Sequence, residues 1–225
     1  MRDTIARACT PTSPKFGLLD SEPRPMVLPR TRSWLRRRGQ VPSPIATLAP
    51  GRVLVEGQAE GAAEYVAPIS GRSAIGFRLL IERESGMRGW QTVHDHVEFG
   101  SFELRDASGA ILVRACRDAL EIGVGEHGGE GGPFRPLPQP IVDLVPLSVS
   151  VQGVLFHHVG IRWREWVLEP GASVWMRGSV VSELREHVTV GYRELGRELV
   201  LTGGAAAPLE IHGLAQLRQP PPSAR

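Results

Sequence analysis

Cysteine, lysine, aromatic residues and long apolar runs are all scarce in this sequence, and the shortages of cysteine and of apolar runs each remove a class of protein. The 225 residues include two cysteines, Cys9 and Cys116, far apart in the chain. No disulfide framework is expected from such a pair, and a four-cysteine zinc module is excluded. A reducing, cytoplasmic compartment is the resulting expectation. Crossing a bilayer takes roughly 18–20 apolar residues in succession. The most apolar stretch, "IVDLVPLSVSVQGVLFHHVGI", is interrupted by Asp143, Pro146 and Gly153. No apolar run follows the basic N-terminus, so a secretory signal is not expected there. The chain is expected to be soluble unless another element anchors it.

What is present describes a globular domain with tails. The hydrophobic fraction is 41% and the charged fraction 22%, the proportions of a soluble fold. All basic residues but Lys15 are arginine, a bias of composition with no mechanism attached to it. The formal charge of +2 hides an asymmetry. Residues 1–50 carry nine Arg/Lys and three Asp/Glu, a net +6, whereas residues 51–225 carry 17 and 21, a net −4. Positive charge thus belongs to the N-terminal arm.

Residues 1–48 are rich in Pro, Ser, Thr and Arg and show neither apolar period. Such a segment buries too little surface to offset its ordering entropy, so it reads as a disordered basic arm. The end, residues 214–225 with "RQPPPSAR", reads as a second disordered tail. Residues 123–140, "GVGEHGGEGGPFRPLPQP", hold six glycines and four prolines and read as a long flexible loop. One short helix is expected around Pro140 to Leu147.

Between these segments the chain alternates with period two. In "SAIGFRLLIERE", Ile75, Phe77, Leu79 and Ile81 share a face, and Arg78, Glu82 and Glu84 surround Leu80 on the other. "FELRDASGAILV" reads as a hairpin: Phe102 and Leu104 lead in, and Ile111 and Val113 lead out. At its tip Asp106 accepts hydrogen bonds from the turn backbone and Gly109 is expected at a positive φ. Further strands are expected at "GIRWREWVLE", "ASVWMRGSVVSE", "ELVLTG" and "PLEIHG". Seven or eight short strands with frequent turn residues predict an all-β fold over residues 51–213, a small barrel or sandwich.

Three motifs in order give the region a resemblance. "APISGRSAIGFRLLIERE" contributes Pro68, Ser70 and Gly71 in a turn before a strand. Trp90 and the hairpin contribute Phe102, Leu104, Asp106 and Gly109. "RWREWVLEPGASVWMRGSVV" contributes Glu165, Pro170, Gly171 and Gly178. Together they resemble the GIDE-type, or beside-a-membrane (BAM), domain of Mulan-type membrane-anchored ubiquitin ligases and of many bacterial proteins. The resemblance implies an OB-like β-barrel that serves as a recognition or regulatory module near membranes. The family's ligases also carry transmembrane helices and a RING finger with cysteine–histidine zinc ligands. This sequence shows neither, so an inherited ubiquitin-ligase label would lack its catalytic RING.

Chemistry-bearing patterns are few. His94 and His96 are two residues apart, which on a strand puts both on one side, where they could hold a metal. A third ligand would have to come from His157 or His158, and polar strand surface is the plainer reading. Ser70 and Ser108 stand beside glycines, but neither sits in G-x-S-x-G, and both read as turn formers. Cys116 has no histidine near it in sequence. The glycines of 123–132 lack the Lys-Ser/Thr of a phosphate loop. No cofactor and no catalytic residue is therefore assigned.

Binding patterns are stronger. Aromatics make up only 6% of the chain, yet Trp163, Trp166 and Trp175 fall close together. Alternation places Trp163 with Val167, and Trp166 opposite them with Arg162 and Arg164. Trp166 can then anchor a peptide or stack on a base, or pack beneath the 123–140 loop. In the arm, "RTRSWLRRRG" sets Arg36, Arg37 and Arg38 beside Trp34 and Leu35. Such a cluster attracts polyanions, anionic lipid ahead of nucleic acid. The expected function is a non-catalytic protein- or peptide-binding scaffold module, peripheral to the inner membrane face through the arm. Single-stranded nucleic-acid binding on an OB surface is the alternative, disfavoured by the body's net negative charge. A hydrolytic metalloenzyme built on the histidines ranks last.

Overall fold

The period-two segments form strands, in a computed structural model that describes residues 41–85, 89–132, 135–144, 160–184, 197–204 and 206–214. In chain order these are β1 (Gly51–Glu60), β2 (Tyr65–Val66), β3 (Ser73–Ala74), β4 (Gly76–Glu84), β5 (Trp90–Phe99), β6 (Phe102–Arg105) and β7 (Ala110–Arg114). They continue with β8 (Leu120–Gly123), β9 (His127–Gly131), β10 (Ile161–Leu168), β11 (Ser173–Leu184), β12 (Arg197–Thr202) and β13 (Leu209–Gly213). A single α-helix, α1 (Gln139–Leu144), is described. It falls where a helix was expected, and the last residues of that expectation lie outside the described residues. The described strands number thirteen, against the seven or eight anticipated. The extra ones are very short or polar, or carry a glycine that interrupts the apolar period.

Five strands close on themselves in the order β1-β6-β7-β12-β11, with β11 returning to β1. The meander β1-β6-β7 is antiparallel and β7 meets β12 in parallel. This order is that of an OB barrel, so the expected all-β, OB-like architecture is present. Inward residues fill the barrel: Val55, Leu104, Val113, Val174, Met176, Leu201, Leu209 and Ile211 are all buried. Each such side chain contributes roughly 1.5–3 kcal/mol of hydrophobic stabilisation.

Strand β11 carries most of the closure. One edge pairs with β1 from Ser173 to Val180; the other pairs with β13 from Val174 to Arg177 and then with β12 from Ser179. Gly178 stands where those two partners change over. A Cβ there would lie 2.8 Å from the Thr202 carbonyl oxygen and 2.9 Å from Leu209 Cδ1. Only glycine lets three strands approach at that point.

Two insertions into the barrel build a second sheet, ordered β5-β4-β10-β9. Its inner face buries Leu79, Ile81, Ile161 and Trp163 against Ile141 of α1. The stripe of Ile75, Phe77, Leu79 and Ile81 is wholly buried as expected, but it serves three separate apolar clusters. Strand β10 enters β11 through Glu169–Ala172. Gly171 has φ +79° there and Ala172 N–H reaches the Glu169 carbonyl, the geometry of a type II turn with Pro170 before the glycine.

Three expectations are corrected. Residues 123–140 do not form one long flexible loop: His127–Gly131 pair with β10 as β9, and Gln139–Leu144 are helical. The glycines serve close packing, since a Cβ on Gly129 would stand 2.6 Å from the Trp163 ring. The arm ends before residue 48, because Ile45 is buried in the barrel core and its N–H donates to Asp106 Oδ2 at 2.9 Å. Gly109 does not have a positive φ. Asp106 Oδ1 accepts from the Ser108 and Gly109 N–H groups at 2.7 and 2.9 Å, which closes the turn without a left-handed residue. Desolvation pushes the carboxyl's pKa up, but the Ser108 hydroxyl and the N–H groups of Ile45, Ser108 and Gly109 together outweigh it and lower the pKa to about 2.

Gly178→Ala is expected to cost on the order of 1–3 kcal/mol through overpacking and to lower Tm by several degrees. Gly204, where an added Cβ meets nothing within 4 Å, is the control, and Gly204→Ala should leave Tm unchanged or slightly raised. Equal effects in a thermal melt would refute the three-strand crowding at residue 178.

Candidate functional site: the outer face of the second sheet

Because β4, β5, β9 and β10 alternate, their second face carries a separate set of residues. Register places Glu82 between Thr92 and Arg162, Leu80 between Asp95 and Arg164, and Arg78 between Val97 and Trp166. Glu130 lies opposite Arg162 on its other side. All these residues are half-buried or exposed, in contrast to the buried inner face.

Hydrogen bonds and ring contacts join them into one layer. The Arg162 guanidinium lies 4.3 Å from the Trp90 ring centre and donates through Nε to Glu82 Oε2 at 2.7 Å. Arg164 donates through Nη2 to the same Glu82 oxygen at 3.2 Å, with its guanidinium 5.5 Å from the Trp166 ring centre. Arg78 grips Asp95 with two parallel bonds of 2.9 and 2.8 Å. Burial pushes the Glu82 pKa up, but hydrogen bonds and charge from Arg162 and Arg164 outweigh it and hold the carboxyl below its ordinary range. Each guanidinium–indole contact is worth ~0.5–1 kcal/mol at such exposure and limits the rotamers of the arginine. Trp166 is half-buried, and it packs with Val97 and Phe99 against the barrel core. Val124, the second residue of the 123–140 segment, belongs to the cluster that Trp166 packs against.

The structure thus brings together three residues expected to bind, Trp166, Arg162 and Arg164. Trp34, Arg36, Arg37 and Arg38 lie outside the described residues. Sequence reasoning treated Trp90 as structural and did not assign Glu82 to the site. The missing signal is a β-bulge: Thr92 pairs with Glu82 and His94 with Ile81, leaving Val93 extra in β5.

On the inner side of the same sheet, the turn that carries the motif residues Pro68, Ser70 and Gly71 meets Glu165 through Ile69 and Ser70. The Glu165 carboxylate is fully buried and accepts the N–H groups of Ile69 and Ser70 at 2.8 and 2.9 Å. Gly71, at φ +68°, closes the turn onto the Ala67 carbonyl. Ser70 Oγ accepts from Arg72 Nε at 3.2 Å, in keeping with a turn-forming role. Phe102 and Leu104 line the barrel interior. Cys116 is half-buried just before a 3-10 turn at Arg117–Ala119.

His94 and His96 do share a side, with ring centres 5.9 Å apart. His96 Nε2 lies 3.3 Å from Glu98 Oε1. Among the described residues no group of three metal-ligating side chains converges; His157 and His158 lie outside them. His94 Nε2 is buried and makes no hydrogen bond among the described residues. An open groove of about 670 Å³ runs between Pro42–Pro44, Glu56–Gln58 and the Arg105–Ser108 tip. Two of its charges are already engaged, Arg105 by Glu60 and Glu103 and Asp106 by the turn. No described helix is long and apolar enough to cross a membrane. No family model, no curated protein and no solved structure matches the chain.

Burial lowers the His94 pKa below 6.5, and the nearby His96 adds to the effect, while Asp95 opposes it and Arg117 reinforces it. The folded state therefore binds this proton less readily than the unfolded chain. Stability from His94 is unaffected well above 6.5 and declines as pH falls through that value toward the folded pKa. In His94→Gln, the loss of urea-unfolding stability between pH 7.5 and 5.5 should shrink. An undiminished loss would place the proton uptake on another group.

Proposed function

We propose that this chain is a non-catalytic protein-binding module whose binding surface is the outer face of the β5-β4-β10-β9 sheet. The observation that carries this reading is the layer of Trp90, Arg162, Glu82, Arg164 and Trp166 on a rigid sheet. Tryptophan and arginine are the side chains that most often dominate binding energy, and here stacking and ion pairing hold them in place beforehand. A half-buried Leu80 among them offers an apolar spot. The resemblance to GIDE-type domains supports the same role. Ubiquitin transfer does not carry over with it, because the sequence holds no set of RING ligands.

Residues 1–40 support a place at an anionic membrane face. Arg36, Arg37 and Arg38 supply electrostatic attraction, and Trp34 and Leu35 an interfacial anchor. Single-stranded nucleic acid is less well supported. On the β6–β7 side of the barrel, where OB folds bind strands, Arg105 pairs with Glu60 and Glu103, and Arg114 with Glu183. Neither β6 nor β7 turns an aromatic side chain outward there.

Selection from a random dodecapeptide display library should yield peptides that bind the wild-type protein with micromolar affinity. Trp90→Ala with Arg162→Ala should weaken them at least tenfold while leaving the far-ultraviolet circular dichroism unchanged. Peptides that bind both proteins equally would overturn this surface as the site. Separately, the full chain should co-sediment with phosphatidylserine vesicles at low salt, less so at 0.5 M salt, and not once residues 1–40 are removed. Binding that survives this truncation would refute the arm as anchor.

A further inference from the structure

Arg162 and Arg164 differ from Arg78 in how they spend their donors. Arg78 commits its Nε and Nη2 edge to both oxygens of Asp95. Among the described residues Arg162 gives its Nε–H alone, and Arg164 one Nη2–H, and both go to one oxygen of Glu82. A guanidinium carries five N–H donors, so each of these two keeps most of its capacity. Two positive charges thus converge on one carboxylate, a local surplus of one. Burial of Glu82 is deeper than that of either arginine, with side-chain exposures of 12% against 31% and 39%. The carboxylate is thus the more deeply buried partner, and both guanidiniums remain partly exposed.

Resting on the binding reading above, we propose that this face recognises a single carboxylate, an aspartate or glutamate side chain of a partner protein, seated between Arg162 and Arg164. An apolar neighbour of that residue would lie over Leu80, which register places between Arg164 and Asp95. The stacked guanidiniums offer planar, bidentate donors to it. One negative charge matches the surplus of one. That surplus is of these three side chains alone, and a phosphate, at about −1.5 to −2, exceeds it. Glu82 is then an internal stand-in that competes with the partner's carboxylate for the same two arginines.

The test titrates the full chain with three end-blocked heptapeptides that carry glutamate, glutamine or phosphoserine between two leucines. It follows the arginine Nε–H and tryptophan indole N–H signals by NMR. The glutamate peptide should shift the signals of Arg162, Arg164 and Trp90 saturably, and bind at least fivefold more tightly than the glutamine peptide. Arg162→Gln with Arg164→Gln should abolish that preference. Glu82→Gln should increase it at least threefold, because the competing carboxylate is gone; a merely structural Glu82 would predict the opposite. Equal binding of glutamate and glutamine peptides at these signals would sink the carboxylate inference and leave the binding surface intact. Tighter binding of phosphoserine would overturn it in favour of phosphate. If no peptide shifts these signals, the carboxylate inference fails, and failure of the display selection as well would remove the surface itself.

Discussion

The sharing of β11 by three neighbours is the constraint on which the remaining architecture depends. A strand of twelve residues from Ser173 to Leu184 must hold β1 along one edge and both β13 and β12 along the other. A barrel of five strands closes only if its registers agree, and the changeover at Gly178 sets two of them at once. Without a side chain there, β12 and β13 meet β11 end to end. With one, the Thr202 carbonyl and Leu209 would have to move, and with them the parallel β7–β12 pairing that completes the ring.

That constraint reaches the candidate site through a single turn. Strand β10 runs into β11 across Glu169–Ala172, and Ala59 of β1 clasps this turn from both sides, accepting from Gly171 and donating to Ala172. The position of β10 is therefore set by barrel closure. Its inward residues Trp163, Glu165 and Val167 fix the second sheet against α1 and the Ala67–Arg72 turn, so Arg162, Arg164 and Trp166 have one available direction. The buried Glu165 carboxylate would be costly without partners. It is tolerated because two backbone N–H groups meet it, and in meeting it they tie a segment almost a hundred residues earlier to the same strand.

Much of the fold was legible in the sequence because alternation is a local property. Ile75 to Ile81, Phe102 to Val113 and Arg162 to Val167 all declared their faces through spacing alone. The glycine-rich stretch at 123–132 misled for a physical reason. Glycine weakens a strand locally, and β9 exists only because the Trp163 ring and the β10 backbone need a neighbour without side chains. The same holds for residues 42–48, whose short, proline-containing sequence gives no sign that Asp106 and Ser108 will receive the N–H groups of Ile45 and Ala46.

For the site the division is similar. Composition and spacing determined that an all-β domain follows a basic arm, and that Arg162, Arg164 and Trp166 share one face of one strand. Only the tertiary structure decided what that face contains. Glu82 and Trp90 reach it through cross-strand register, and a one-residue bulge at Val93 resets which side of β5 each residue occupies. Pairing between strands eighty residues apart depends on closure of the whole barrel, a long-range condition that no window of sequence expresses.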